Sequence, residues 1–583
     1  MFKLLKYLRP YWWQCLILLA AIYAQVWGGL ELPTLMSRIV NEGIVAGDQP
    51  FIWHTGGVMV IYTLISAVGA LVASFLSARI GSALSRDLRN DIYKKVISFS
   101  ISEMDHFSTA SLITRTTGDI AQVQNTIIMC LSMLLRAPMM AIGAIIQAVE
   151  IAPDMIWIIV LAVVVLLILV SSILAIVVPK FTLYQKLIDK ITLLTRENLT
   201  GLRVIRAFNN QKLEQEKFNR TNTKLMKTDI FIGKVMSLDS PLMTLVFNGT
   251  TLLCIWIGIK LMGTDISYLG NMMAFMQYAI QVVMSFLFLT VLIVMLPRAN
   301  VSAKRINEVL HTRPKITWPA KTSGTPDEVP SVEFRHVDFA YPGAEEKVLR
   351  DISFKAAAGQ TTAFIGSTGS GKSTIVNLIP RFHDATSGEV LVNGLSVKNY
   401  AEPDLMQKIG HVPQRAFLFS GNIKSNITFG NTAADDQTIQ HAAAVAQASE
   451  FISKLEDQYQ SHIAEGGTNV SGGQKQRLSI ARAIAKNPAI YIFDDSFSAL
   501  DMKTDKKLRE ALHKITGKSV TIIVAQRIST IKSAQQIIVL DAGKIVGRGT
   551  HTELLKSCKV YQEIAKSQLS EAEYKKEIKN ARA

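Results

Sequence analysis

Apolar positions are spread unevenly along the chain. Long unbroken apolar stretches fill the first half, and short apolar runs separated by glycine and charged residues fill the second. A helix needs roughly 20 mostly apolar residues to cross the hydrocarbon core of a bilayer. Six stretches meet that length, at residues 13–36, 57–78, 127–149, 155–178, 237–262 and 272–296. The loops at 41–55, 150–154 and 263–271 contain no Lys or Arg, whereas the segments 79–115 and 180–234 carry many. Cytoplasmic loops carry the excess of positive charge, so this distribution predicts a multi-pass protein of the plasma membrane with both termini in the cytoplasm.

The two basic segments are far longer than ordinary connections of roughly 4–6 residues, and their apolar residues recur at helical spacing, as at Leu84, Leu88, Ile92 and Val96. They predict membrane helices that continue into the cytoplasm as paired rods, turn at a short segment and return. Residues 312–330 are rich in Pro, Thr, Ser, Gly and charge without apolar periodicity, which marks a linker. The expected organisation is an α-helical transmembrane domain at 1–311, the linker at 312–330, and an α/β domain with a charged tail at 331–583.

A chain of 583 residues exceeds what one core supports, in keeping with that division. The net charge of +16 raises the question of a nucleic-acid partner. Much of it flanks the apolar stretches, as at Lys3, Lys6, Arg9, Lys94 and Lys95, so it reads as membrane orientation, and no nucleic acid is expected. Cys15, Cys130, Cys254 and Cys558 lack metal-ligand spacing and read as packing residues. No small-residue cleavage site follows the first apolar stretch, so that stretch is expected to stay as an anchor. Asn248 and Thr250 match a glycosylation sequon, but inside a span.

Charge inside a span is costly and points to function by default. Glu31, beside Gly28, Gly29 and Pro33, and Arg136, before Pro138, are the two positions of this kind, each open to a second reading as a structural charge near a helix end or a water-filled cavity. The last span is rich in Met272, Met273, Phe275, Met276, Tyr278, Met284, Phe286 and Phe288. Those side chains suit varied apolar ligands and equally suit helix packing and lipid contact.

In the second half, an apolar strand runs into Gly366, Ser367, Thr368, Gly369, Ser370, Gly371, Lys372, Ser373 and Thr374, and a helix follows. That strand, glycine-rich turn and helix form a P-loop. Glycines let backbone N–H groups approach phosphates, Lys372 reaches the outer phosphates, and Ser373 offers an oxygen to Mg²⁺. Asp494 ends a second apolar strand, from which a carboxylate can help hold Mg²⁺, and Asp495 then stands where a carboxylate would address the attacking water. ATP and Mg²⁺ are the expected cofactors.

Between these halves lies Val470-Ser471-Gly472-Gly473-Gln474-Lys475-Gln476-Arg477, opening an apolar-periodic helix. This string resembles the signature motif of ATP-binding cassette proteins, and six spans followed by one such domain resemble a half-transporter of the exporter type. The resemblance implies that Tyr341 stacks on adenine, and that Gln414 senses the γ-phosphate and serves at the metal and at catalysis. It further implies that Glu465 touches the cytoplasmic rods and that residues 498–501 cross between two nucleotide domains. Residues 104–112 and 197–208 resemble the family's two coupling segments, one of which enters the partner subunit's nucleotide domain.

Two positions depart from the family pattern. Asp495 stands where active members carry Glu, and Gln526 where they carry a His that contacts the γ-phosphate. A carboxylate shorter by one methylene sits about an ångström from its working position, a displacement that can cost about a hundredfold in rate. Gln donates a hydrogen bond but cannot carry positive charge or relay a proton.

In the family each ATP lies between one chain's P-loop and the other chain's signature, and here the signature is intact. The pattern resembles the degenerate-site subunit of heterodimeric bacterial multidrug exporters. It implies an ATP hydrolase coupled to transport whose own site is impaired, which donates Ser471, Gly472, Gly473 and Gln474 to the ATP of a partner carrying Glu and His. Amphipathic or apolar compounds, drug-like or lipid, are the expected cargo. A nucleotide-gated channel or regulatory subunit, and a slow homodimeric exporter, are the alternatives.

Overall fold

The computed structural model describes residues 2–262 and 268–582; of the polar loop expected at 263–271, residues 263–267 lie outside the described residues. The chain forms two compact units, one of Met1–Ile97 with Thr109–Thr312 and the other of Ser98–Ser108 with Arg313–Ala583.

Among the described residues the first unit carries six helices long and apolar enough to cross a membrane, in the order read from the sequence. Helix Gln49–Ile97 has 49 residues and Ile156–Thr200 has 45, so at 1.5 Å per residue each reaches about 70 Å, more than twice the hydrocarbon thickness. The excess forms the predicted rods. In Gln49–Ile97 the apolar stripe is buried, with Ile80, Leu84, Leu88 and Ile92 all fully covered, whereas the rod of Ile156–Thr200 leaves Leu183, Leu193 and Leu199 exposed. Within the span of Gln49–Ile97, Leu64, Val68, Leu71 and Phe75 are exposed, as lipid-facing side chains must be.

The rods turn at two short helices, Ile101–Phe107 and Leu202–Ala207. Ser100 and Glu103 form a reciprocal cap at the start of the first, which satisfies N–H groups that a short helix would leave bare. Polar ties join the rod ends of the third and sixth spans: Ser302 Oγ donates to Asp119 Oδ1 at 2.7 Å, and Arg115 pairs with Glu308 at 2.6 Å. Within the bilayer the Tyr278 hydroxyl meets Thr34 Oγ1 and the Leu30 carbonyl, both at 2.6 Å, so its polar end is satisfied where water is scarce.

The second unit is built on a six-stranded sheet in the spatial order Lys544–Gly549, Gln536–Asp541, Thr361–Gly366, Val520–Val524, Ile490–Asp494 and Ile409–Val412. All neighbours are parallel except the first pair. Strands Val520–Val524 and Ile490–Asp494 are buried at every position, as continuous apolar runs in a parallel sheet covered on both faces should be. A four-stranded antiparallel sheet that includes Ser331–Phe339 and Leu349–Ala357 packs over it through Phe334, Phe354 and Phe364. Val524 lies level with both Phe364 and Asp494. The carboxyl ends of three adjacent strands therefore open on one edge, where parallel sheets bind ligands.

Candidate functional site

The first of those strands ends at Gly366, where an added Cβ would stand 2.1 Å from the Leu540 carbonyl oxygen, so only glycine lets the neighbouring strand lie this close. Gly371 opens helix Lys372–Leu378 at φ 95, a left-handed conformation that glycine adopts without strain. The turn between them folds back on its own lysine. Lys372 Nζ donates to the carbonyls of Gly366 at 2.9 Å and Ser367 at 2.7 Å. Burial pushes the Lys372 pKa down, and Asp495 and Asp494 oppose that shift. An anion entering the loop meets a partly desolvated cation and gains more from it than from a solvated one.

Ser373 Oγ donates to Asp494 Oδ1 at 3.0 Å. Asp494 is buried, and burial raises its pKa, an effect the Ser373 bond partly offsets. A hydroxyl and a carboxylate oxygen meeting at one point form a hard-oxygen set that fits Mg²⁺. No cluster of three or more His, Cys, Asp or Glu side chains suited to a metal occurs among the described residues. Ser373 and Asp494 therefore suit an ion that phosphate oxygens help to hold, and such an ion neutralises charge on those phosphates.

Asp495 turns out of the strand at φ 46, in the left-handed region that Asp tolerates better than most residues, and its N–H donates to the Val524 carbonyl at 3.0 Å. Its Oδ2 accepts two amide hydrogen bonds, from Gln414 Nε2 at 3.2 Å and Gln526 Nε2 at 2.9 Å. Burial raises the Asp495 pKa against the Gln414 bond. The Gln414 nitrogen thus faces the carboxylate of Asp495. The Gln526 loop is itself clamped: Gln568 Nε2 donates to the Gln526 carbonyl at 2.7 Å, and Gln568 Oε1 accepts the Ile528 N–H at 2.9 Å.

Tyr341 joins this group through its hydroxyl, 3.0 Å from Thr374 Oγ1. Phe339 and His383 hold the ring edge-on at 4.9 and 5.4 Å, and with 38% of the residue exposed the ring is open to a stacking base. The sequence contains no local signal for His383 or Gln568 at the site.

Ser471 begins helix Gly472–Lys486 with a reciprocal cap: its N–H donates to Gln474 Oε1 at 2.9 Å, and its Oγ accepts the Gln474 N–H at 3.3 Å. An added Cβ at Gly472 would meet nothing within 4 Å, so this helix start is open to an approaching group. Among the described residues no hydrogen bond links 471–474 to 366–374. The structure thus gathers 366–374, Gln414, Asp494, Asp495, Gln526 and Tyr341 into one group and leaves the signature residues outside it. Within the loop that follows, Asp501 caps helix Met502–Ile515 through the N–H groups of Lys503 and Thr504. Glu465 is exposed on a tight turn, and of the two segments that resemble coupling segments, the one containing Leu202–Ala207 leaves Leu202, Val204 and the adjoining Phe208 exposed.

Two family descriptions match the chain: "ABC transporter transmembrane region" over residues 15–286 and "ABC transporter" over residues 349–498. An uncharacterised ABC transporter ATP-binding protein of Mycobacterium tuberculosis is 39% identical over 97% of both chains. The ATP-dependent lipid A-core flippase of Pseudomonas putida is 29% identical over 95% of this chain and 93% of its own. A bacterial Atm1-family ABC exporter solved with ATP bound shares the fold at a TM-score of 0.80 and 21% identity, covering 97% of this chain and 99% of that one.

Proposed function

The chain belongs to the ABC transporter family as an exporter-type half-transporter, and on that premise we propose that it is the weakly hydrolytic subunit of a heterodimer. In this reading its own P-loop, Ser373 and Asp494 hold ATP and Mg²⁺, and cleavage there is slow. Ser471, Gly472, Gly473 and Gln474 complete a second site on a partner whose residues at the positions of Asp495 and Gln526 are Glu and His. Closure on two nucleotides draws the rods together and opens the membrane cavity outward. The cargo is an amphipathic or apolar compound, in keeping with the lipid-handling relative, and the termini lie in the cytoplasm.

The observation that carries this reading is the arrangement around Asp495. Two amide donors occupy Oδ2, which leaves Oδ1 as the freer acceptor for a water, on a side chain one methylene shorter than Glu. Gln526 supplies a neutral donor where a protonated or proton-relaying group would stabilise the transition state more strongly. Both substitutions act on the attack on the γ-phosphate, Gln526 can still donate a neutral hydrogen bond where the family's His contacts that phosphate, and the P-loop itself is intact, so ATP binding is retained while hydrolysis slows. The test is the sequence of the chain that co-purifies with this one from its native membrane. A second half-transporter with Glu and His at the two positions supports the reading; a homodimer that hydrolyses ATP rapidly overturns it.

A further inference from the structure

The third span is interrupted within the membrane. Pro138 has no N–H to give the Leu134 carbonyl, and helix Leu135–Ile151 is entered through a widened π-helical turn at Cys130–Leu134. Ser132 Oγ bonds back to the carbonyls of Ile128 at 2.9 Å and Met129 at 3.3 Å within this stretch. Next to this turn lies a cavity of about 280 Å³. Met133, Arg136 and Met140 line one wall, and Gln281, Met284 and Phe288 of helix Tyr268–His311 line the other.

Two polar groups in this apolar cavity lack complements. Arg136 is exposed, and among the described residues it makes no ion pair or hydrogen bond. Gln281 Oε1 is buried with no hydrogen-bond partner among the described residues. A charge within a span and an unpaired buried acceptor each carry a cost, and a stable fold usually relieves both. Arg136 and Gln281 each lie about 20 Å along their helices from Ile151 and Tyr268, ends that share one membrane face because the spans alternate. That depth is inside the hydrocarbon layer, where a soluble anion does not go unaided.

We propose that this cavity binds the head of an anionic amphiphile, with Arg136 pairing a phosphate or carboxylate, Gln281 Oε1 accepting from a neighbouring hydroxyl or amide N–H, and the methionines and Phe288 covering the start of an apolar chain. Unbranched thioethers and an aromatic ring fit apolar bodies of varied shape. The inference rests on the reading of the chain as an exporter of amphipathic compounds and narrows their charge.

The test uses the full chain in lipid nanodiscs and saturation binding of labelled lysophosphatidic acid, which carries a phosphate, a hydroxyl and one acyl chain. Glycerol phosphate supplies the same head without the chain, and monoacylglycerol supplies chain and hydroxyl without the phosphate. The expected result is saturable binding of lysophosphatidic acid that weakens about tenfold or more in Arg136→Gln and a few-fold in Gln281→Leu, recovers in Arg136→Lys, and exceeds that of both comparison ligands. Equal binding by Arg136→Gln, equal binding of monoacylglycerol, equal binding of glycerol phosphate, or no saturable binding overturns the proposal. ATP affinity of the same samples, expected to be unchanged, reports on folding. The heterodimer reading depends on hydrolysis at Asp495, which this measurement does not touch.

Discussion

Gln526 Nε2 donates a hydrogen bond to Asp495 Oδ2 at 2.9 Å and thereby ties the loop after strand Val520–Val524 to the loop after strand Ile490–Asp494. The two residues on which the proposed weak hydrolysis rests are direct partners. A change at one therefore alters the orientation of the other, and their effects on turnover should be coupled.

The two halves of the nucleotide machinery should respond unequally to damage in the assembled transporter. Ser471→Arg places a long cation on the open helix start at Gly472 and should lower ATP turnover by about a hundredfold or more, the scale seen when a transition-state contact is lost. Asp495→Asn should change it by only about threefold or less, because in this account most turnover occurs at the other site. Steady-state phosphate release from both variants, co-expressed with the partner, makes the comparison.

Gln568 is a positioning residue for the Gln526 loop, bonding once as donor and once as acceptor. Gln568→Ala removes both bonds and should cost about 1–3 kcal/mol of stability. Gln568→Glu keeps the acceptor for the Ile528 N–H, loses the donor to the Gln526 carbonyl, and should fall between. Thermal unfolding of the intact chain with and without ATP reads the difference.

His411 gives the nucleotide-binding unit an acid sensitivity. Its Nε2 is enclosed without a partner among the described residues, its ring lies edge-on to Phe382 at 5.6 Å, and burial lowers its pKa from 6.5 to about 4. The unfolded chain therefore takes up the proton first as pH falls, so the stability held above pH 6.5 is lost progressively down to pH 4. Between pH 6.5 and 5 the loss should be about 1.5 kcal/mol, because the slope reaches 1.36 kcal/mol per pH unit only once the unfolded imidazole is mostly protonated. His411→Leu should flatten that part of the melting-temperature profile.

The sequence reveals those parts of the molecule that are coded locally. Six apolar stretches, a strand running into Gly366 and Lys372, and the serine and glycines at 471–473 are each contiguous signals, and the helices and strands fall where those signals lie. Contacts between distant residues are not coded this way. Gln568 reaches Gln526 from 42 positions away, and His383 reaches Tyr341 only because a helix and a sheet bring them together. Ser98–Ser108 belongs to the second unit although rods of the first flank it, a grouping that no periodicity reports. Arg136 was visible as a charge in a span, but its cavity required the facing side chains of the sixth span.

The most direct measurement of the central claim is the ATP turnover of the purified chain alone, compared with that of the double variant Asp495→Glu with Gln526→His, at saturating ATP and with ATP affinity measured in parallel. The account predicts slow turnover for the native chain, a rise of about ten- to a hundredfold in the double variant, and affinities equal within about threefold. Rapid turnover by the native chain, or a double variant no faster than it, would contradict the claim that Asp495 and Gln526 leave this site able to hold ATP but poor at cleaving it.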